Sequence, residues 1–266
     1  MNNKTVLMGA PDHFKVEYSI NPWMDAEVEV DLDLAKEQWS NLKKAIESAG
    51  AEVKVVPANE DLPDLVFTAN SGIINGKDVL IANFKFHERQ GEEAIFENWY
   101  KDNSYRVGRI PSEYKFEGRG DAFVYQDYLI GTYGIRSDKE ALEFIAREFG
   151  LTPLVNRLID EKFYHLDTCF QLLPTGNNDA IYYPGAFEDS SLSNWSELFN
   201  LIPVSKNDAE LLTCNAVVIE NTVIFPAGEI SVIEKVKDLG CNVVQVNVSE
   251  FIKAGGACQC LVISLN

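Results

Sequence analysis

Apolar residues recur along this chain with two alternating periods. In DLAKEQWSNLKKAIES (33–48), Leu34, Trp39, Leu42 and Ile46 fall on one face, which predicts an amphipathic helix. ERQGEEAIFENWYKD (88–102) and DKEALEFIAREF (138–149) carry the same period, and DSSLSNWSELFN (189–200) and EISVIEKVKDL (229–239) a weaker one. Each is followed by a short apolar stretch that predicts a strand: AEVKVVP (51–57), SYRVGRI (104–110), LTPLVN (151–156), LIPVS (201–205) and CNVVQVN (241–247). Gly50, Gly150 and Gly240 end three of the helices, where a left-handed cap suits a residue without Cβ.

A loop and a second apolar stretch follow each strand. These stretches open as DLVFTANSG (64–72), FEGRGDAFV (116–124), HLDTCFQLL (165–173), TCNAVVIE (213–220) and GGACQCLVIS (255–264). The first four lead into a turn and another strand, as in IINGKDVLIAN (73–83), where Asn75-Gly76 is a hairpin signal. The fifth reaches the C-terminus, so MNNKTVLMG at the other end is its expected closing partner. Strand, loop, hairpin and helix thus recur roughly every 40–50 residues. Five units closing in a ring predict one α/β domain over 1–266, and no Pro/Gly/Ser-rich linker divides it.

Polar residues return at one place in this unit. Asn70, Glu117 and Asp121, His165 and Asp167, Asn215, and Cys258 and Cys260 all fall where the second apolar stretch begins. In a ring, those positions converge on the axis and share a pocket.

Composition narrows the partners. Against 23 Lys and Arg the chain carries 41 Asp and Glu, a net charge of −18, which argues against nucleic acid or an anionic membrane. Such a balance fits a small cationic ligand, although most of the excess is expected to be solvated surface. Hydrophobic content of 46% excludes wholesale disorder. The start of the chain lacks the pattern of a signal peptide, and no apolar stretch approaches membrane-spanning length, so a cytoplasmic location is expected. The five cysteines suggest no disulfide framework, and no second Cys/His pair stands at ligand spacing, so no metal is expected.

Of three histidines only His165 belongs to the convergent set. A cysteine nucleophile needs a base or a lowered pKa. Cys258 and Cys260 are expected to point to the same strand face, since strand side chains alternate with period two, and Gly255-Gly256 permits close approach beside them. Glu117, Asp121 and Asp167 near a thiol would raise its pKa. That arrangement makes sense if the substrate is a planar cation: a guanidinium pairs with carboxylates and brings the charge that stabilises a thiolate.

FTAN, FEGRGD, HLD and the C-terminal GGACQC, in that order, resemble the amidinotransferase/deiminase (pentein) superfamily over essentially the whole chain. The resemblance implies a five-bladed α/β propeller of ββαβ-type repeats with pseudo-fivefold symmetry. It places the nucleophile at Cys260, with Cys258 a variable position, the general acid/base at His165 and a guanidinium ligand at Asp167. Glu117 is implied to orient His165, with Asp121 a substrate or supporting carboxylate; FEGRGD is one residue longer than the E-G-G-D of many deiminases, which leaves the division between the two acids open.

Asn70 stands where typical arginine deiminases carry Asp, and in this FTAN resembles the arginine dihydrolases. Asn offers both a donor and an acceptor, which suits a neutral ureido group as well as a guanidinium. VEYSINPWM (16–24) resembles the dihydrolase pattern too, with Asn21 either a substrate contact or part of a turn. Arg89 and Arg136 occupy family-typical places for gripping a substrate carboxylate, with Arg119 a weaker candidate. Phe67 packs against the substrate stem or fills the core.

The resemblance implies a cysteine-dependent hydrolase of the guanidino group of L-arginine, an arginine dihydrolase that gives ornithine, carbon dioxide and two ammonia without any cofactor. A deiminase or dimethylarginine-type hydrolase stopping at citrulline, an amidinotransferase, and a non-catalytic binding protein of the same fold are the alternatives. The sequence leaves homo-oligomer formation open.

Overall fold

The structure is a computed structural model describing residues 4–188 and 192–265. Its longest helix, Leu32–Ser48, starts where the Asp31 side chain accepts from the Leu34 amide. The buried stripe is Ala35, Gln38, Leu42 and Ile46. The face is therefore rotated from the expected one: Leu34 and Trp39 flank it, half-buried, and Gln38 goes inside. It can do so because its amide donates to Ser249 and accepts from the Glu250 amide.

The five predicted units appear as five three-stranded sheets among the described residues. Strand β1 (Thr5–Gly9) pairs in parallel with β2 (Glu52–Val56). The next sheet holds β3 (Gly72–Asn75), β4 (Asp78–Ile81) and β5 (Arg106–Arg109), and the third β6 (Ala122–Tyr125), β7 (Tyr128–Tyr133) and β8 (Thr152–Arg157). A fourth comprises β9 (Phe170–Leu172), β10 (Asp179–Tyr182) and β11 (Asn200–Pro203), and a fifth β12 (Val217–Ile219), β13 (Thr222–Pro226) and β14 (Asn242–Val246). In each, an antiparallel hairpin is followed by a helical crossover to a parallel third strand. Finally β15 (Ile263–Ser264) joins β1 antiparallel, so the two ends of the chain complete one sheet. Residues 1–3 of the expected closing segment lie outside the described residues.

Successive sheets share apolar cores. Leu7 and Ile263 pack with Val79 and Ile81, Ile73 and Leu80 with Ala122 and Leu129, and Ile130 with Phe170, Ile181 and Phe225. Val217 and Ile224 then pack with Val6 and Met8 of β1.

Several boundaries differ from the sequence reading. The helix expected over 88–102 is broken at Gly91 into His87–Gln90 and Glu92–Asp102. Over 229–239 only Ile233–Asp238 is helical. The weak helix over 189–200 reduces to Ser193–Ser196, because β11 already starts at Asn200; residues 189–191 lie outside the described residues. Gly50, Gly150 and Gly240 all take positive φ at their helix ends. The structure has no helix long and apolar enough to cross a membrane among the described residues.

Candidate active site

The convergent polar residues sit in or immediately beside tight turns just before the hairpins, not in strands. Thr68–Ser71 and Gly118–Gly120 are 3₁₀ turns, Leu166–Cys169 is one helical turn, and residues 211–214 and 258–261 are turns as well. This corrects the period-two argument for Cys258 and Cys260, since residues 258–261 are not extended. Both thiols are buried, but Cys260 alone of the two lines a cleft, and Cys258 packs into the apolar core.

That cleft is narrow, about 10 Å³, room for about one water molecule. Asn21, Phe67, Asn70, Arg89, Arg136 and Cys260 line it. Asp64 and Tyr164 also line it.

His165, Glu117, Asp121 and Asp167 reach the cleft through Arg136 and Cys260. His165 Nε2 lies 2.8 Å from Glu117 Oε2, and the same oxygen accepts from Arg136 Nη1 at 2.7 Å. Glu117 is an acceptor, so the imidazole proton sits on Nε2 and leaves Nδ1 as the basic nitrogen. Nδ1 is buried without a hydrogen-bond partner among the described residues. Burial alone would push Glu117 up, but Arg136 and His165 outweigh it and hold the carboxyl well below the usual range. Asp121 is farther, 4.0 Å from His165 Nε2, and accepts from Ser137 at 2.6 Å and Thr132 at 3.3 Å. Burial raises it to about 6, despite the opposing influence of His165.

Cys260 faces a different carboxylate. Its Sγ is 3.7 Å from both Asp167 oxygens and 3.1 Å from Asn215 Nδ2. Burial, then Asp167, pushes the thiol well above its ordinary value. Burial also pushes Asp167 up to about 7, though Arg119 opposes it. Asn215 accepts from the Ala257 and Cys260 amides and donates to the Asp167 carbonyl, tying the two segments together.

Asn70 is oriented from both sides. Its Oδ1 accepts from Arg89 Nη1 at 2.9 Å, and its Nδ2 donates to the Glu117 carbonyl at 2.8 Å. A guanidinium only donates and a carbonyl only accepts, so this orientation of the amide is fixed. One N–H and one lone pair remain on Asn70 for a further partner. Arg89 is itself clamped by Glu92 through two 2.8 Å bonds. Arg136 is likewise engaged, donating to the Ile20 carbonyl at 2.7 Å between the rings of Phe86 and Tyr164. Asn21 forms the turn, accepting from the Trp23 amide and donating to the Ala254 carbonyl, and still lines the cleft. Phe67 packs edge-on against Phe14 and Phe251, so it serves the core as well as the cleft wall.

Two glycines are dictated by this crowding. A Cβ on Gly120 would lie 2.4 Å from Asn70 Nδ2 and 3.2 Å from His165 Nδ1; one on Gly256 would strike the Phe67 ring at 2.5 Å. Gly120→Ala is therefore expected to cost about 1–3 kcal/mol of stability and to displace both polar side chains. Thermal melting with a turnover assay checks this; a variant with wild-type melting and activity would refute the crowding argument.

Asp64 and Glu92 were not anticipated. Asp64 interrupts an apolar run, PDLVF, and is buried; Tyr18 donates to its Oδ2, and its Oδ1 has no hydrogen-bond partner among the described residues. A charge inside an apolar run was the available signal. Asn215 was placed in the convergent set without a role.

A model of the family described as eukaryotic N,N dimethylarginine dimethylhydrolase matches residues 11–266. The chain belongs to this family. Within and around the dimethylhydrolase family, it is 33% identical to the N(G),N(G)-dimethylarginine dimethylaminohydrolase of Mycobacterium tuberculosis, covering 97% of this chain and 85% of that protein. It is 39% identical to the bifunctional arginine dihydrolase/ornithine cyclodeaminase AgrE of Nostoc sp. over 96% of this chain. The chain spans only 37% of the length of AgrE. Among solved structures, the substrate-bound N-terminal domain of the cyanobacterial arginine dihydrolase ArgZ superposes with a TM-score of 0.94 at 36% identity, covering 99% of this chain and 98% of that one.

Proposed function

We propose that this protein is an arginine dihydrolase: a cysteine-dependent hydrolase that converts L-arginine to ornithine, carbon dioxide and two ammonia, with Cys260 as nucleophile and His165 as general acid/base. The observation that carries the reading is the Cys260–Asp167 contact, a buried thiol against a buried carboxylate. Such a pair cannot readily hold two negative charges, but a guanidinium entering beside it supplies the missing cation. The thiolate then adds to the guanidino carbon. His165, aligned by Glu117, protonates the departing ammonia and afterwards activates water through Nδ1, releasing citrulline.

Ureido hydrolysis needs a group that tolerates both a charged and a neutral substrate. Asn70 serves this purpose with its remaining N–H and lone pair. In a second round Cys260 adds to the ureido carbon and expels the second ammonia, and water then cleaves the S–C bond of the resulting thiocarbamate to give ornithine and carbon dioxide and to free the thiol. Asp64 lines the cleft and its buried Oδ1 has no donor among the described residues, which suits the substrate α-ammonium. Arg89 and Arg136 line the same cleft and suit the α-carboxylate. Cores shared between successive sheets, and between the last and the first, support reading the five sheets as blades of one pentein propeller forming a single domain over 1–266. The substrate is a small molecule, no cofactor takes part, and the cytoplasm is the proposed location.

The family match favours a second reading, in which N-methylated arginines are substrates and hydrolysis stops at citrulline. Product counting separates the two. Arginine should yield two ammonia and one ornithine, whereas one ammonia with stable citrulline, or turnover of dimethylarginine only, would overturn the dihydrolase reading. Asn70→Asp is expected to cut the ornithine yield at least 10-fold and leave citrulline, because a carboxylate cannot donate to a ureido oxygen.

A further inference from the structure

Asn215 lies between the turn over 211–214 and β12, fully buried beside Cys260. Its amide orientation is settled without reference to the thiol. Oδ1 accepts from the Ala257 and Cys260 amides, each 3.1 Å away, and a backbone N–H can only donate. Nδ2 donates to the Asp167 carbonyl at 3.0 Å, and a carbonyl can only accept. Three of the amide's four hydrogen-bonding positions are thereby occupied. The fourth, the second N–H of Nδ2, meets Cys260 Sγ at 3.1 Å. The Gln259 amide adds a further tie by donating to the Asn215 carbonyl at 3.0 Å. These backbone bonds already brace residues 257–260, and an N–H on sulfur contributes nothing to that brace.

Sγ therefore has two unlike neighbours. Asp167, with both oxygens at 3.7 Å, favours the protonated thiol. An N–H donor favours the thiolate, because a hydrogen bond to an ionised acceptor is the stronger one. Cys260 is only 2% exposed, so water does not replace such a donor, and a buried anion left without one is costly. Burial and Asp167 raise the thiol, and the Ala257 backbone and Asn215 oppose them. We propose that Asn215 is a catalytic residue, the donor that holds the Cys260 thiolate before each attack and receives it again whenever the S–C bond breaks. This rests on Cys260 being the nucleophile. The amide exchanges no proton with sulfur. The guanidinium brings positive charge with the substrate, whereas the Asn215 N–H is in place beforehand and needs no reorganisation.

The ultraviolet absorbance of the thiolate tests this between pH 7 and 11, taken as the difference between each protein and the same protein carrying Cys260→Ser. Asn215→Ala should reach a given thiolate absorbance about one pH unit higher than the parent, or more. Its turnover of arginine should fall at least 10-fold. A residue that merely braced the turn would lower turnover and leave the thiolate profile in place, and that result would overturn the proposal. If the variant does not melt cooperatively, the parent protein decides through the nitrogen-15 resolved signals of the Asn215 side chain. The proton facing Sγ should shift as Cys260 ionises while the one facing the Asp167 carbonyl stays; no shift, or equal shifts, would refute the contact. Turnover retained by Cys260→Ser would remove the nucleophile and this inference together. An inactive Cys260→Ser with an unmoved thiolate profile in Asn215→Ala would remove this inference alone.

Discussion

Asp167→Asn is expected to move turnover and thiol reactivity in opposite directions. Asp167 lies 3.7 Å from the Cys260 sulfur and pushes the thiol up, so its removal should lower the thiol pKa. Alkylation of Cys260 by iodoacetamide, followed between pH 7 and 10, should then proceed faster at pH 8 in the variant than in the parent. Turnover should nevertheless fall by about 10²–10³, because charge-assisted hydrogen bonds to a guanidinium are worth about 1.5–3 kcal/mol each. A loss of both, or of neither, would sink the account in which the substrate supplies the charge that the thiolate needs.

Glu117→Gln should cost about 10²–10⁴ in kcat, the range for a disabled acid/base, and far more than Asp121→Asn. The neutral amide leaves a partner for His165 Nε2 but removes the anion that stabilises the imidazolium. Asp121 is 4.0 Å away and already satisfied by Ser137 and Thr132, so its variant should lose no more than about 10-fold. Glu117→Gln also leaves Arg136 buried without its counter-charge, and breaking a buried pair costs about 3–5 kcal/mol. Steady-state rates must therefore be compared with melting temperatures. If Asp121→Asn proved the more damaging in folded protein, the two acids would have to exchange roles.

Much of this was readable from the chain because it rests on local rules. The helices, the parallel strands after them and the hairpin at Asn75-Gly76 follow from periodicity and turn chemistry within a few residues. The repeat carried the longer inference, that Asn70, Glu117, His165, Asn215 and Cys260 stand at equivalent places. What the chain did not disclose is how side chains pair across it. Arg136 lines the cleft, but nothing in the sequence pairs it with Glu117 or with the Ile20 carbonyl, 116 residues away, both of which it also bonds. Cys258 and Cys260 looked like one face of a strand because the pattern cannot distinguish an apolar strand from an apolar turn. Glu92 drew no assignment from the sequence; the break at Gly91 separates the two short helices, and Glu92 clamps the buried Arg89.

The hydrogen bonds over the cleft have a consequence for how occupancy responds to concentration. Residues 20–23 are fastened by Asn21 to the Ala254 carbonyl, by Trp23 to the Lys162 carbonyl and by Ile20 to Arg136. With net worth of about 1 kcal/mol each, these bonds keep the unfastened form at roughly 1% of molecules. A substrate that enters only that form meets an apparent dissociation constant about 100-fold above its intrinsic one. Trp23 fluorescence after rapid mixing reads the opening directly, and a signal unchanged by substrate would refute it. For such a substrate, half-saturation is governed as much by an indole and a backbone carbonyl outside the cleft lining as by the groups that line it.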